Sequence, residues 1–215
     1  MSSLRDRVII LKKEPFREQD RRYVMYGQTH GLLSAVARGA SVSRSKQAGH
    51  LELFSVSEVM IAKGAAFDKL AVARGLERVD LYAANGGLGG AVICGAFADL
   101  VIRLTRPGIA DEGLFDLLYE TFQIFGALPE QPSTERARFL YASTTLRLLD
   151  VLGYAPELET SLLKFMRQAP LSDLLRVTAT RDVLAAASAF VEEALQQAPL
   201  HEEPHGVRTI QAYLG

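Results

Sequence analysis

Three local patterns in this 215-residue sequence could carry chemistry. His201-Glu202-Glu203-Pro204-His205 matches the H-E-x-x-H spacing of zinc hydrolases. That chemistry needs both imidazoles on one face of one helix, with the glutamate beside a metal-bound water. Pro204 disfavours helix at Glu203, and no third ligand stands nearby. The segment therefore reads as a loop, with Pro204 at the first turn of a last short helix. Gly86-Gly87-Leu88-Gly89-Gly90 invites a phosphate-loop reading. It lacks the Gly-Lys-Ser/Thr ending and the G-x-G-x-x-G spacing, so a hinge, a loop or a loosened first helical turn is expected instead. Cys94 is the single cysteine, which excludes an internal disulfide and a multi-cysteine zinc site. Its apolar neighbours make it a buried small side chain. No nucleophile elbow or other converging catalytic set is present, so neither an enzyme nor a bound cofactor is expected.

The third pattern is a set of cations: Arg17, Arg21, Arg22, Arg38, Arg44 and Lys46, with Lys12 and Lys13 as outer candidates. Phosphates are held by flexible or forked cations on exposed strand faces and loops. Tyr23, Tyr26 and His30 stand among them as surfaces on which unpaired bases could stack. On the charge pattern alone the reading as solvating charges outside a barrel comes first, and for the tyrosines a place in its core comes ahead of stacking. Net charge is −1, which taken alone argues against a polyanion partner. Position changes that inference. Residues 1–80 carry 14 Lys and Arg against 9 Asp and Glu, whereas residues 81–215 carry 10 against 16. A near-neutral chain is thus a basic segment of +5 joined to an acidic one of −6.

The elements that must position these cations are short strands. Arg7 to Lys13, Asp20 to Tyr26, Leu32 to Arg38, Phe54 to Lys63 and Phe67 to Arg74 are rich in β-branched and aromatic residues. Thr29-His30-Gly31 marks a turn in which Gly31 can take positive φ. Ser41 to Gly49 is a polar, basic connection able to drape Arg44 and Lys46 along a backbone. Five short strands in so few residues predict a small barrel. From about residue 77 the period becomes helical. Val92, Ala96, Leu100 and Leu104 define a first helix that Pro107-Gly108 ends. Asp111-Glu112 opens a second that runs to Gly126. Ser133 caps a third that runs to Gly153, and Arg181 to Gln197 forms another. Glu157 to Arg167 and Leu171 to Val177 are shorter. The apolar run Val8 to Leu11 is too short for a signal peptide, and no run reaches membrane-spanning length.

At this level of detail the sequence resembles the RecO family of bacterial recombination mediators. The resemblance lies in Leu11-Lys12-Lys13-Glu14-Pro15-Phe16-Arg17-Glu18-Gln19-Asp20-Arg21. It continues in Thr29-His30-Gly31-Leu32-Leu33-Ser34-Ala35-Val36-Ala37-Arg38-Gly39-Ala40, in Ser43-Arg44-Ser45-Lys46 and in Gly49-His50-Leu51-Glu52-Leu53-Phe54. Leu148-Leu149-Asp150-Val151-Leu152-Gly153-Tyr154-Ala155-Pro156-Glu157-Leu158 and the closing Val207 to Leu214 extend it through the chain. The resemblance implies an α+β protein with an N-terminal OB-fold β-barrel over residues 1–78 and an all-helical domain over 79–215. It implies binding to single- and double-stranded DNA and annealing of complementary strands. It implies partners as well: RecR, the C-terminal tail of the single-stranded DNA-binding protein and, indirectly, RecA. For Arg38, Arg44 and Lys46 it favours the DNA-binding reading over solvation.

Many members of that family carry a four-cysteine zinc module after the Gly-Tyr-x-Pro-x-Leu stretch. Here Glu159-Thr160-Ser161-Leu162-Leu163-Lys164 follows, so this is expected to be a zinc-free member held together there by packing alone. The expected location is cytoplasmic, at the nucleoid. An alternative remains at this stage, a protein-interaction scaffold whose OB-like barrel binds no DNA.

Overall fold

The computed structural model describes residues 2–40, 48–79, 87–126, 128, 132–198 and 206–214. Among these residues five strands come first: β1 (Ser3–Pro15), β2 (Arg21–Gly27), β3 (Gly31–Ala37), β4 (Val56–Ala62) and β5 (Lys69–Glu77). Seven α-helices follow among them: α1 (Gly87–Leu104), α2 (Glu112–Gly126), α3 (Thr134–Val151), α4 (Ser161–Gln168), α5 (Leu171–Leu174), α6 (Arg181–Gln196) and α7 (Gly206–Leu214). The chain divides into two compact units, residues 1–79 with 105–119, and residues 80–104 with 120–215. No helix among the described residues is long and apolar enough to cross a membrane.

In the first unit the strands close into a barrel in the order β1-β2-β3-β5-β4, the expected OB-fold. All neighbours are antiparallel except β3 and β5, which run parallel. Alternation of side chains decides what fills the barrel. Val8 and Ile10 of β1, Tyr23 and Met25 of β2, Leu33, Ala35 and Ala37 of β3, and Val59 and Ile61 of β4 share one core. β1 has 13 residues, and its register with β2 shifts between Ile10 and Lys12. Such a bulge bends a strand, which lets β1 pair with β4 along its first half and with β2 along its second.

Residues 105–119 belong to this unit through specific contacts. Pro107 bridges Gly31 and Leu32. Gly31 takes φ +63, and a Cβ there would lie 1.9 Å from the Ile109 carbonyl oxygen, so only glycine fits this turn. The Tyr26 hydroxyl accepts from the Asp111 N–H at 2.9 Å. Asp111 in turn accepts from the Leu114 N–H at 3.1 Å and caps α2. Tyr119 donates to Glu77 at 2.6 Å, which pushes the phenol's pKa up, and Arg7 pairs with the same carboxylate at 3.0 Å.

The second unit is built on α1 and α3. Both are buried on most of their surface, and α3 packs against α1, α4, α6 and α7. Burying a polar sequence such as Ser143-Thr144 works because Ser143 donates to the Phe139 carbonyl and Thr144 to that of Tyr141. Ser133 caps α3 as its sequence position suggested, accepting from the Arg136 N–H at 3.3 Å. Cys94 is fully buried in α1, and burial pushes its thiol pKa up.

One expectation is resolved and one needs correction. Of the readings open to the glycine run, a hinge, a loop or a first helical turn, Gly87 to Gly90 take the last and begin α1. The reason is close packing: a Cβ on Gly90 would sit 2.1 Å from the Phe125 carbonyl oxygen, and one on Gly89 would sit 2.4 Å from Pro132. Gly86 lies outside the described residues. Nor is the stretch after Gly153 held by packing alone. Arg147 of α3 donates to the Met166 carbonyl at 2.9 Å and to that of Ala169, closing the end of α4. Arg136 donates to the carbonyls of Leu174 at 2.9 Å, Val177 at 2.7 Å and Leu175, closing α5. Carbonyls at helix ends lack intrahelical partners and carry the negative end of the dipole, so a guanidinium satisfies both needs.

Candidate nucleic-acid interface

The arginines singled out by the sequence gather at one end of the barrel. β2 and β3 pair with Arg21 opposite Ala37 and Arg22 opposite Val36. Arg38 follows immediately and is exposed. The β1–β2 loop is tight, with the Phe16 N–H donating to the Asp20 carbonyl and the Asp20 N–H to that of Arg17. The Asp20 carboxylate accepts from the Gly39 N–H at 3.0 Å, which ties the start of β2 to the end of β3. Arg17, Arg21, Arg22 and Arg38 are thereby carried by two adjoining strands and one loop. Arg44 and Lys46 lie outside the described residues. The outer candidates are held by acids: Lys12 pairs with Glu14 at 2.6 Å and Lys13 with Glu52 at 3.5 Å.

The aromatic surfaces are different from those the sequence offered. Tyr23 and Tyr26 are buried, and burial pushes both phenol pKa values up. His30 sits on the β2–β3 turn, at the opposite end of those strands from Arg21 and Arg38. Its backbone N–H and Nδ1 each lie 2.9 Å from Asp6, whose carboxylate also accepts from the Thr29 N–H at 3.1 Å. His30 thus belongs to a turn lock and is remote from the arginines.

The aromatics beside the arginines are Phe16 and Phe67. Their rings meet edge to face at 5.2 Å, joining the β1–β2 loop to the β4–β5 loop. The Arg17 guanidinium lies 5.4 Å from the Phe16 ring centre and 5.5 Å from that of Phe67. Arg22 lies 4.8 Å from the Phe16 ring. Such contacts stabilise by roughly 0.5–1 kcal/mol at exposed sites and leave a guanidinium's charge intact. The available signal for Phe16 was its place beside Arg17 in an interstrand loop. Nothing local marked Phe67, because its partner is 51 residues away in sequence.

A cleft of about 320 Å³ adjoins this cluster, between the β4–β5 loop and the outer face of β2 and β3. Arg22, Ser34 and Val36 line one side, and Gly64 to Asp68 the other. The Val36 N–H donates to the Asp68 carbonyl at 2.9 Å and fastens the loop to β3. Asp68 pairs with Lys63 at 2.7 Å. A second cavity, of about 530 Å³, lies in the helical unit. Leu128, Pro132, Leu140, Leu175 and Leu184 give it apolar walls, and Arg136 contributes a cation. Among the described residues no group of three or more His, Cys, Asp or Glu is placed to hold a metal ion. His201 to His205 lie outside them.

Comparison with known proteins adds to this geometry. Residues 1–78 match the family model for Recombination protein O N terminal, and residues 90–161 match that for Recombination protein O C terminal. The chain is similar to the DNA repair protein RecO of Rubrobacter xylanophilus, 29% identical over 74% of this chain and 61% of that protein. It is also similar to the DNA repair protein RecO of Gloeothece citriformis, 32% identical over 69% of this chain and 51% of that protein. The chain therefore spans about half to three-fifths of the length of these curated relatives.

Proposed function

Because the chain belongs to the RecO family, we propose that it is a DNA repair and recombination mediator. It binds single- and double-stranded DNA through the arginine end of its barrel, and it anneals complementary strands. The observation that carries this reading is the gathering of Arg17, Arg21, Arg22 and Arg38 on adjoining strands and one loop of an OB barrel. Strand pairs and interstrand loops of that barrel type commonly bind oligonucleotides. The mechanism is electrostatic: capture of two phosphate backbones on one cationic surface lowers the repulsion between them. No covalent step is involved, so the protein acts as a mediator and not an enzyme.

The partners follow from the same reading. RecR and the acidic, aromatic tail of the single-stranded DNA-binding protein direct the barrel to covered strands, on which RecA is then loaded. An acidic tail with an apolar residue needs an apolar pocket with a cation. The helical unit's 530 Å³ cavity, with Arg136 in its wall, supports that reading. The place of action is the cytoplasm, at the nucleoid.

A salt titration tests the DNA reading. If ~4–6 phosphates are contacted, the single-strand affinity falls with the logarithm of salt concentration at a slope of about −3 to −4. A slope near zero overturns it. Charge reversal at Arg17, Arg21, Arg22 and Arg38 that leaves DNA binding unchanged but abolishes partner binding would favour the scaffold alternative.

A further inference from the structure

The cleft between the β4–β5 loop and the β2–β3 face is shaped for something other than a phosphate. A phosphate site needs converging donors, whereas Val36, Ala65 and Ala66 give this cleft apolar walls and Asp68 places a carboxylate at one edge. Its volume, about 320 Å³, falls at the lower end of the ~300–1,000 Å³ typical of small-ligand clefts. Phe67 lines it and is half-buried. The ring is braced from outside the cleft, by the edge-to-face contact with Phe16 and by the Arg17 guanidinium. A ring so fixed loses little freedom when a second flat group lies on it.

Hydrogen-bonding groups share the lining with these apolar side chains. Ser34 is exposed on the outer face of β3, and Arg22 shares that face of the β2–β3 pair. Gly64 makes the loop tight, since a Cβ there would lie 2.2 Å from the Phe67 carbonyl oxygen. Outside the cleft stand the cations Arg17, Lys63 and Lys69, the last two exposed. The arrangement is a small cleft of mixed polar and apolar lining with a cationic surround. That is the chemistry of one base of a single strand: a stacking face, edge donors and acceptors, and a flanking anionic backbone.

We propose that this cleft holds an unpaired nucleobase, with the Phe67 ring as its stacking platform and Arg22 and Ser34 meeting its edge. The inference rests on the DNA-binding reading above and sharpens it. It assigns the cleft to single strands only, because a base inside a duplex cannot leave its stack without the cost of unpairing. Phosphate contacts by the arginines serve both strand forms, and the cleft separates them.

The chain contains no tryptophan, so Phe67→Trp introduces a single fluorescent reporter at the platform. Stacking of a base on it quenches its emission. The experiment titrates Phe67→Trp with a short oligothymidine strand and with a duplex of the same length. Fluorescence anisotropy of a labelled strand reports total binding in parallel. The expected result is saturable quenching by the single strand, none by bound duplex, and reduced quenching by a strand of abasic residues. Phe67→Ala, checked by thermal melting to be folded, should weaken single-strand binding by about tenfold, within the range for loss of one stacked base, and duplex binding by several-fold less, through the lost Arg17 contact alone. Bound single strand without quenching, or equal losses for both strand forms in Phe67→Ala, overturns the inference alone. Absence of any strand binding to the unaltered chain overturns the DNA-binding reading with it.

Discussion

Asp6 places a carboxylate in the barrel wall with its side chain only 1% exposed. Three donors from the β2–β3 turn surround it, the N–H groups of Thr29 and His30 and the His30 ring nitrogen. Gly27 leaves room for it, since a Cβ there would lie 2.2 Å from Asp6 Oδ2. Truncation removes the acceptor of these part-buried hydrogen bonds, and a bond to a charged group contributes about 1.5–3 kcal/mol. Asp6→Ala should therefore lower the thermal midpoint by more than Asp6→Asn, which keeps an acceptor in place. A thermal melt by circular dichroism checks this, and equal midpoints for the two variants would remove Asp6 from the turn's support. The sequence marked Gly31 as a turn residue because positive φ is a local property. It did not mark Asp6, because a carboxylate 23 residues from Thr29 becomes a turn acceptor only after β1 and β2 pair. The same dependence on pairing decides His30, which the sequence leaves open between stacking and packing.

Individual elements were more legible. Alternation identified all five strands, and helical period with capping residues identified the long helices. The errors fall where an element's neighbour decides its residues. Four glycines in six residues argue locally for a loop, and glycine in a helix interior costs up to ~1 kcal/mol. In α1 that cost is offset by contact, with Gly90 against the Phe125 backbone and Gly89 against Pro132. Helix propensity therefore predicts the wrong sign for a substitution here. Gly90→Ala should destabilise the helical unit, although the same change in an exposed helix stabilises. Gly95→Ala is the control: it lies in the same helix, and nothing stands within 4 Å of the Cβ it would gain. Chemical denaturation should show opposite shifts in midpoint for the two variants. What closes the ends of α4 and α5 is likewise not legible in the sequence, because Arg136 and Arg147 reach those carbonyls only in the folded unit. Burial lowers both guanidinium pKa values, yet both remain in place through the carbonyls they hold.

At the scale of the whole molecule, the charge arithmetic assigns the excess of cations to the first unit. The barrel with residues 105–119 carries 15 Lys and Arg against 11 Asp and Glu, so the offset persists in the folded unit. What the arithmetic could not supply was the arrangement. Cations spread over 22 residues of sequence, from Arg17 to Arg38, meet only because β2 and β3 form a hairpin. The cleft beside them needs a further loop, from residues 63–68, that carries no basic or aromatic run of its own.

The barrel is a ring of unequal joints. β1 pairs with β2 and β4 over seven registered positions each, whereas β3 and β5 meet in a single registered pair, Val36 with Lys69. Local opening begins where the fewest bonds must break. Backbone amides of β5 should accordingly exchange with deuterium earlier than those in the middle of β1, under conditions where the barrel as a whole stays folded. Val36 also lines the cleft, so a base bound there would lie across the weakest joint. A single strand should then slow exchange in β5 more than a duplex does, acting as a clasp on the ring that grips it.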